Sequence, residues 1–507
     1  MASTATPSLN DLAFQISGLT YNISKFLEQN RHPAPSFAAD GPPRFPDSAP
    51  AEIQVARQQL LELTLSLHNL ILGPEERVRT QTAEYVNPAT LRWIVHFKVA
   101  QHVPKEGSIS YSDLAAATSL PENQLKRVLR YTMLNGYFFE PSTGQVAHSA
   151  MSLLLASSPS IQDYVSHAIE FSYPVSTKMV EMTEHYKGSD AKNETAFNVA
   201  FQTPLPMFAW LKGEPEHSER FGRLMGAMRA APIYSVDHLV KGYDWGSLGA
   251  AKVVDVGGSL GHASLAVVDK YPDLNFVVQD LPEVVEQGRA KMPDSSAKKL
   301  EFMGHDFFNE QPIKDADVFL LRQILHDWAD AEAITILKNL VVSMKAGSKI
   351  LIMDQVVPPP GLLPTIVEKA GRTIDLVVMS HFNGKQRDLE DWKKIFSAAD
   401  DRLVITNLIV QPGSVLSIIE LSLQDAAVPN GHSTVAEKPT TNTENTEETS
   451  GTEQSATAEV ITNGAQVEQD KTDAAKPVDE PSTEPSVEPV ATSDSTERST
   501  NPTPTAV

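Results

Sequence analysis

The stretch that most restricts the fold is KVVDVGGSLGHASLAVVDKYP, residues 252–272. Five residues rich in valine read as a buried strand. A glycine turn follows, and then an amphipathic helix. Gly257 and Gly258 let the backbone turn sharply and approach a ligand, and Gly261 lets helix and strand come close. Asp280, in FVVQDLPEV, ends the next strand. A carboxylate there can accept both hydroxyl protons of a ribose. The order strand, glycine turn, helix, strand-end acid points to an adenosine-containing ligand more strongly than to an ordinary strand–helix–strand unit.

NAD and S-adenosylmethionine both fit. The glycines read G-G-x-x-G rather than G-x-G-x-x-G, and Asp255 stands two residues before them. A carboxylate near the loop suits a cationic amino-acid tail better than a pyrophosphate, which it would repel. EFMGHDFF then ends a third strand with Asp306, an acid able to accept the adenine amine, with Phe307 against the ring face.

The pattern continues. Lys252–Val256, Asn275–Gln279, Leu300–Met303, Val318–Leu321, Ser348–Met353, Leu403–Leu408 and Ser414–Glu420 read as strands. The span Glu332–Met344 reads as a helix stopped by Gly347. Strands alternating with helices predict an α/β fold with a mostly parallel sheet covered on both faces.

The residues before about 236 read differently. Leu9 to Gln29 has a helical pattern, and residues 31–50 contain six prolines and read as a linker or wrapping arm. Ala51 to Leu72 predicts a helix too apolar for a lone surface element, one that packs on a neighbouring domain or a second subunit. Residues 85–150 read as helix, turn, helix, then strand, turn, strand, a winged-helix pattern. Its second helix, Glu122 to Leu134, offers Lys126, Arg127 and Arg130, too narrow a basic footprint for DNA. An interaction or dimerisation module is the preferred reading. Met225, further on, reads as core.

Residues 426–507 carry 15 acidic and 4 basic residues and no aromatic, half of the chain's net charge of −22. Such a segment is expected to be disordered. The acidic balance disfavours nucleic acid and anionic membranes. The chain has no cysteine, so no thiolate nucleophile or Cys-ligated metal. With no secretory leader and no apolar stretch near the ~20 residues that span a bilayer, a cytoplasmic location is expected. Organisation is expected as 1–50, 51–235, 236–425 and 426–507.

LLRQILHDWADAE, residues 320–332, lies between the fourth strand and the helix after it. His326 stands at a strand's carboxyl end, where open α/β sheets bind ligands. It is one of fourteen histidines, most of which must be structural. Asp327 reads equally as a cap of the following helix.

With Gly257–Gly258, QDLP, GHDFF, RQILHDW and FNGKQR in order, the chain resembles the class I S-adenosylmethionine-dependent O-methyltransferases of the plant caffeate type. The closer similarity is to fungal enzymes that methylate polyketide and other aromatic hydroxyls. It covers roughly residues 50–425. It implies a Rossmann-like sheet with an N-terminal, mainly helical winged-helix dimerisation domain, a homodimer, S-adenosylmethionine as cofactor and no metal. Residue by residue, it implies that Gly257 and Gly258 line the methionine end, that Asp280 holds the ribose, and that Asp306 and Phe307 contact adenine. Arg322 and Trp328 would also flank the cofactor. His326 would be the general base, with Asp354 orienting it. The second orienting position, usually Glu, is Gln386, which adds no negative charge. Met228, Asp327 and His381 would face the acceptor. Two other readings stand beside the enzyme: a catalytically weak or silent methyltransferase-like partner in a biosynthetic pathway, motivated by Gln386 and the tail, and a winged-helix regulator of transcription.

Overall fold

The computed structural model describes residues 8–292, 300–411 and 413–424. The acidic tail at 426–507 lies outside the described residues. Seven strands form the main sheet: β1 (Lys252–Val256), β2 (Asn275–Asp280), β3 (Leu300–Gly304), β4 (Val318–Arg322), β5 (Lys349–Asp354), β6 (Leu403–Val410) and β7 (Ser417–Leu423). Their order is β6-β7-β5-β4-β1-β2-β3. β1 to β5 run parallel, whereas β7 pairs antiparallel with both β5 and β6. The chain winds outward from β1 to β3, then crosses to β4 on the other side of β1. The sheet therefore changes winding direction between β1 and β4, and a crevice is expected at their carboxyl ends.

The valine-rich strands have a direct physical reason. Val253, Phe276, Val278, Leu320 and Leu351 pack on one face with Trp245, Val267 and Val268. Val254, Val277, Phe319, Leu321 and Ile352 pack on the other with Ile336, Leu337, Leu340, Trp392 and Phe396. Side chains alternate along a strand, so a sheet buried on both sides needs apolar residues at every position.

Most strand bounds lie within two residues of expectation, and two elements shift further. The last strand starts at Ser417 rather than Ser414, because the Ser414 hydroxyl both accepts from the Leu416 N–H and donates to its carbonyl, closing a local turn first. The helix expected at Glu332–Met344 spans Asp330–Val341. Its start is early because the Glu332 carboxylate reaches back to the Ala329 N–H, and Gly347, at φ 82°, lies in the turn beyond its end.

In the N-terminal region Leu9–Gln29 is a helix with a Ser8–Asp11 capping box. It packs through Ile23 and Leu27 on Ala56 of the helix Ala51–Ala83. That second helix is longer than expected but breaks at Gly73 (φ 67°, ψ 172°), and Pro74 begins its second half. The winged-helix pattern is present, with one change. Gln145–Val146 pairs with Ile109–Ser110, while the expected hairpin is reduced to a single bridge between Phe139 and Ala147. On the helix Glu122–Leu134, Arg130 is bound to Glu140 and lies over the Tyr111 ring. Among the described residues, no helix is long and apolar enough to cross a membrane.

Candidate active site

The carboxyl ends of β1 and β2 build a narrow loop. Gly257 has φ 72°, and a Cβ there would lie 2.7 Å from Ile324 Cδ1 and 3.6 Å from Phe307 Cε1. A Cβ on Gly258 would lie 2.6 Å from Asp255 Cγ and 2.8 Å from Val278 Cγ1. Both positions exclude a side chain, so the loop is built of bare backbone. Asp255 lies beneath the loop rather than in the crevice: it is 2% exposed and accepts from Ser264 Oγ at 2.5 Å. Burial pushes its carboxyl up to about 6. Its function here is to support the glycine loop. Asp280 closes the loop's far side, with Oδ2 accepting from the Ser259 N–H at 2.9 Å and Oδ1 from the Leu281 N–H at 2.8 Å. Ser259 (φ 53°) and Gln323 (φ 56°) are held in the left-handed region after β1 and β4. Strained non-glycine residues of this kind are retained where the surroundings demand that turn.

His326 sits in the short turn Leu325–Asp327 after β4. Its Nδ1 is 2.8 Å from Asp354 Oδ1 at the end of β5, and its own N–H donates to Asp354 Oδ2 at 3.3 Å. Its Nε2 is 3.1 Å from Asp327 Oδ1. Burial works against a charged ring, but the carboxylates of Asp354 and Asp327 outweigh it and hold the imidazole well above its usual 6.5. Asp327 therefore does not cap the following helix, whose N-cap is Ala329; its carboxylate is spent on His326.

The segment FNGKQR holds this turn in place. Gly384 passes so close that a Cβ would lie 2.6 Å from the His326 carbonyl, which accepts from the Lys385 N–H at 2.9 Å. Arg387 is fully buried and donates to the carbonyls of Leu325 and Trp328, both at 2.7 Å, and to Asp330. It clamps the turn on both sides of His326. Asn383 donates to the carbonyls of Ser189, Ala191 and Glu194 and so fixes the loop that carries Lys192. Lys192 Nζ lies 4.3 Å from the Trp328 ring centroid, donates to the Asp327 carbonyl at 2.5 Å and meets Glu332 at 3.2 Å. Sequence reasoning assigned nothing to Lys192, Asn383 or Arg387. The last two were visible only as letters of a motif, and Lys192 carried no local signal.

The other expected site residues fall into two groups. Phe307 packs edge-on to Trp328 at 5.7 Å and lies beside Gly257, so these three come together past the end of β1. Asp306 is exposed, and its Oδ1 accepts from the Phe308 N–H. Arg322 donates to the Tyr234 carbonyl at 2.7 Å and lies close enough to Asp255 to favour its ionisation. Gln386 is buried with its Oε1 unpartnered, and its N–H donates to Asp375; Asp354 is hydrogen-bonded to Nδ1 of His326, and Asp327 stands at ion-pair distance from Nε2. His381 is 2% exposed, with Nδ1 on the Val377 carbonyl and Ser380 and Nε2 on Ser172. It packs against Phe171, and burial lowers its pKa to about 4. Met228 is half-buried on the helix Pro215–Ala230, where Leu224 is buried and Met225 half-buried.

A family model described as an O-methyltransferase domain matches residues 185–400. The O-methyltransferase aurJ of Gibberella zeae is 41% identical over 438 residues, covering 84% of this chain and 100% of that protein. The O-methyltransferase pgmB of Aspergillus terreus is 40% identical, covering 83% of this chain and 97% of that protein. Among solved structures, LepI in complex with SAM shares the fold at a TM-score of 0.57 and 24% identity, covering 81% of this chain and 100% of that one. The glycine loop at the switch point of a seven-stranded sheet, together with relatives matched along nearly their whole length, places the chain in the family of S-adenosylmethionine-dependent O-methyltransferases.

Proposed function

We propose that the chain methylates a hydroxyl of an aromatic acceptor, of the kind found among polyketide secondary metabolites, with His326 as general base. The observation that carries this reading is the His326–Asp354 pair, held at 2.8 Å where β4 and β5 end and beside the β1 glycine loop.

The residues around that loop fit the methyl donor. Gly257 and Gly258 leave their backbone bare, the two Asp280 oxygens each use one lone pair on an N–H and keep another for a ribose hydroxyl, and Phe307 with Trp328 offers aromatic surface for adenine. Asp306 and Arg322 are assigned to the same ligand. S-adenosylmethionine, when bound, supplies an electrophilic methyl group on a sulfonium.

The chain's own part is orientation and proton removal. A phenolic hydroxyl has a pKa near ~10 and is almost wholly protonated at neutral pH. Asp354 receives Nδ1–H and so presents Nε2 as the acceptor atom. A hydroxyl within reach of Nε2 loses its proton there as the oxygen is alkylated. Met228, Asp327 and His381 are assigned to the acceptor side of the site, and Gln386 to the second orienting position for His326.

A mass-spectrometric screen of hydroxynaphthalenes, hydroxyanthraquinones and simple phenols tests this. At least one should gain about 14 Da, one methylene, when incubated with S-adenosylmethionine, because acceptor choice rests on pocket contacts. Methylation confined to amines, thiols or aliphatic alcohols would overturn the aromatic reading.

We also propose a homodimer formed through the N-terminal helices. Phe14 is 82% exposed on Leu9–Gln29, and Leu61, Leu70, Ile71 and Val78 are exposed on Ala51–Ala83, an apolar surface larger than a free pair of helices needs. Light scattering should give twice the chain mass of 55.3 kDa, and a monomer mass would reject the dimer.

A further inference from the structure

His326 presents a difficulty that its role as base does not resolve. The nitrogen that must take the acceptor's proton, Nε2, already faces Asp327 Oδ1 at 3.1 Å. That carboxylate stands at contact distance on the side from which a hydroxyl must approach Nε2. The surroundings of the two carboxylates on the ring show which of them can give way.

Asp354 is fixed. It is 1% exposed, and the His326 ring, the His326 N–H and the Gln355 N–H converge on it. Asp327 is 33% exposed along its side chain, and among the described residues its carboxylate meets the imidazole alone. A cation stands ready one step away. Lys192 Nζ is held by the Asp327 carbonyl, by Glu332 and by the face of Trp328. An ammonium has three N–H groups, and two are used on those oxygens. Resting on the reading of His326 as base, we propose that Asp327 occupies the acceptor's place on Nε2 until the hydroxyl arrives, and that Lys192 then receives the displaced carboxylate. Asp327 and Lys192 are thus positioning residues that make the base available only when an acceptor is present.

The charges around the turn are consistent with this exchange. Asp354 and Asp327 touch the ring. Arg387 and Lys385 are committed to carbonyls of the turn, Asp330 and Asp391, and Asp375 is bonded to the Gln386 N–H. This leaves Lys192 as the cation already bonded to Asp327 itself. The proton balance is simple. An imidazolium gives its Nε2 proton to solvent as the hydroxyl replaces Asp327. The hydroxyl proton then moves to Nε2 while its oxygen would take the methyl group from the sulfonium, the S–CH₃ electron pair staying on sulfur to leave S-adenosylhomocysteine. That proton leaves to solvent after the product departs.

The test uses the full chain, ¹⁵N-labelled at histidine and saturated with S-adenosylhomocysteine, with the His326 ring signals assigned by their loss in His326→Asn. Asp327→Asn should lower the ring's pKa by about one unit or more, since it removes a carboxylate at contact distance; a change below about half a unit overturns the proposal. Kinetics use the hydroxyarene methylated fastest in the screen. Lys192→Met should raise its KM about tenfold or more with kcat and S-adenosylhomocysteine affinity nearly unchanged, and Lys192→Arg should restore it. An unchanged KM, or a loss shared with S-adenosylhomocysteine affinity, overturns the role of Lys192. Failure of the base reading looks different: His326→Asn would still methylate, whatever Asp327→Asn does to the ring.

Discussion

Replacing His326 with Asn should reduce methyl transfer by about a thousandfold while S-adenosylhomocysteine binds within about twofold of the native affinity, the range expected for losing a general base. The separation follows from the geometry. His326 follows β4 and faces Asp354 and Asp327, whereas the residues proposed for the donor lie on the glycine loop after β1 and at the end of β2. Asparagine is smaller, but its amide nitrogen stands where Nδ1 does and can still donate to Asp354, so a fall in activity reports the lost proton acceptor rather than a collapsed turn. Stopped-time product assays and calorimetry measure the two quantities. Turnover above about a tenth of the native rate would remove His326 from the chemistry.

The same residue sets a pH dependence. Burial opposes the ring's charge, but Asp354 and Asp327 outweigh it, so the folded protein holds the proton to a pH well above 6.5. Activity in the native chain should therefore rise with pH through that raised value. Stability runs the other way. Holding the proton more tightly than the unfolded chain does stabilises the fold fully below pH 6.5, and that contribution is lost as pH rises through the folded pKa. His326→Asn should flatten this part of the stability–pH profile.

The sheet was legible because its strands are buried on both faces. Val253 and Val254 point to opposite sides yet both must be apolar, so β1 reads as an unbroken hydrophobic run. The turn chemistry was legible for a similar reason: Gly257 and Gly258 lie where any Cβ would meet a neighbour. The pairing of His326 with Asp354 was accessible only through the family resemblance, because 28 residues separate them and the parallel pairing of β4 with β5 is what brings them together. The contact between Lys192 and Asp327 spans 135 residues and has no periodicity behind it. Asp255 illustrates the opposite case. Its place beside the glycines suggested a charge facing the ligand, but a side chain two residues before a turn can as easily point beneath it, and here Ser264 receives it.

Arg387→Met should cost about 3–5 kcal/mol of stability, the range for removing one partner of a buried charged cluster. Asp330 is partly exposed and keeps Lys385, so the ion pair is the smaller part of that loss. The larger part comes from the carbonyls of Leu325 and Trp328, which lose their guanidinium donors. Because those carbonyls bracket His326, the damage should also reach catalysis. A loosened turn displaces the base, and a misplacement of about 1 Å can cost on the order of a hundredfold in rate. Arg387→Lys keeps the charge but cannot span both carbonyls and Asp330 with one nitrogen, so it should recover only part of either quantity. Denaturant unfolding with S-adenosylhomocysteine present, alongside kcat, checks the prediction in both variants. If Arg387→Met lowered stability by less than about 1 kcal/mol, the buried guanidinium would not be what holds the turn. The close approach of Gly384, the Lys385 N–H bond to the His326 carbonyl and the Lys192 bond to the Asp327 carbonyl would then have to carry that function.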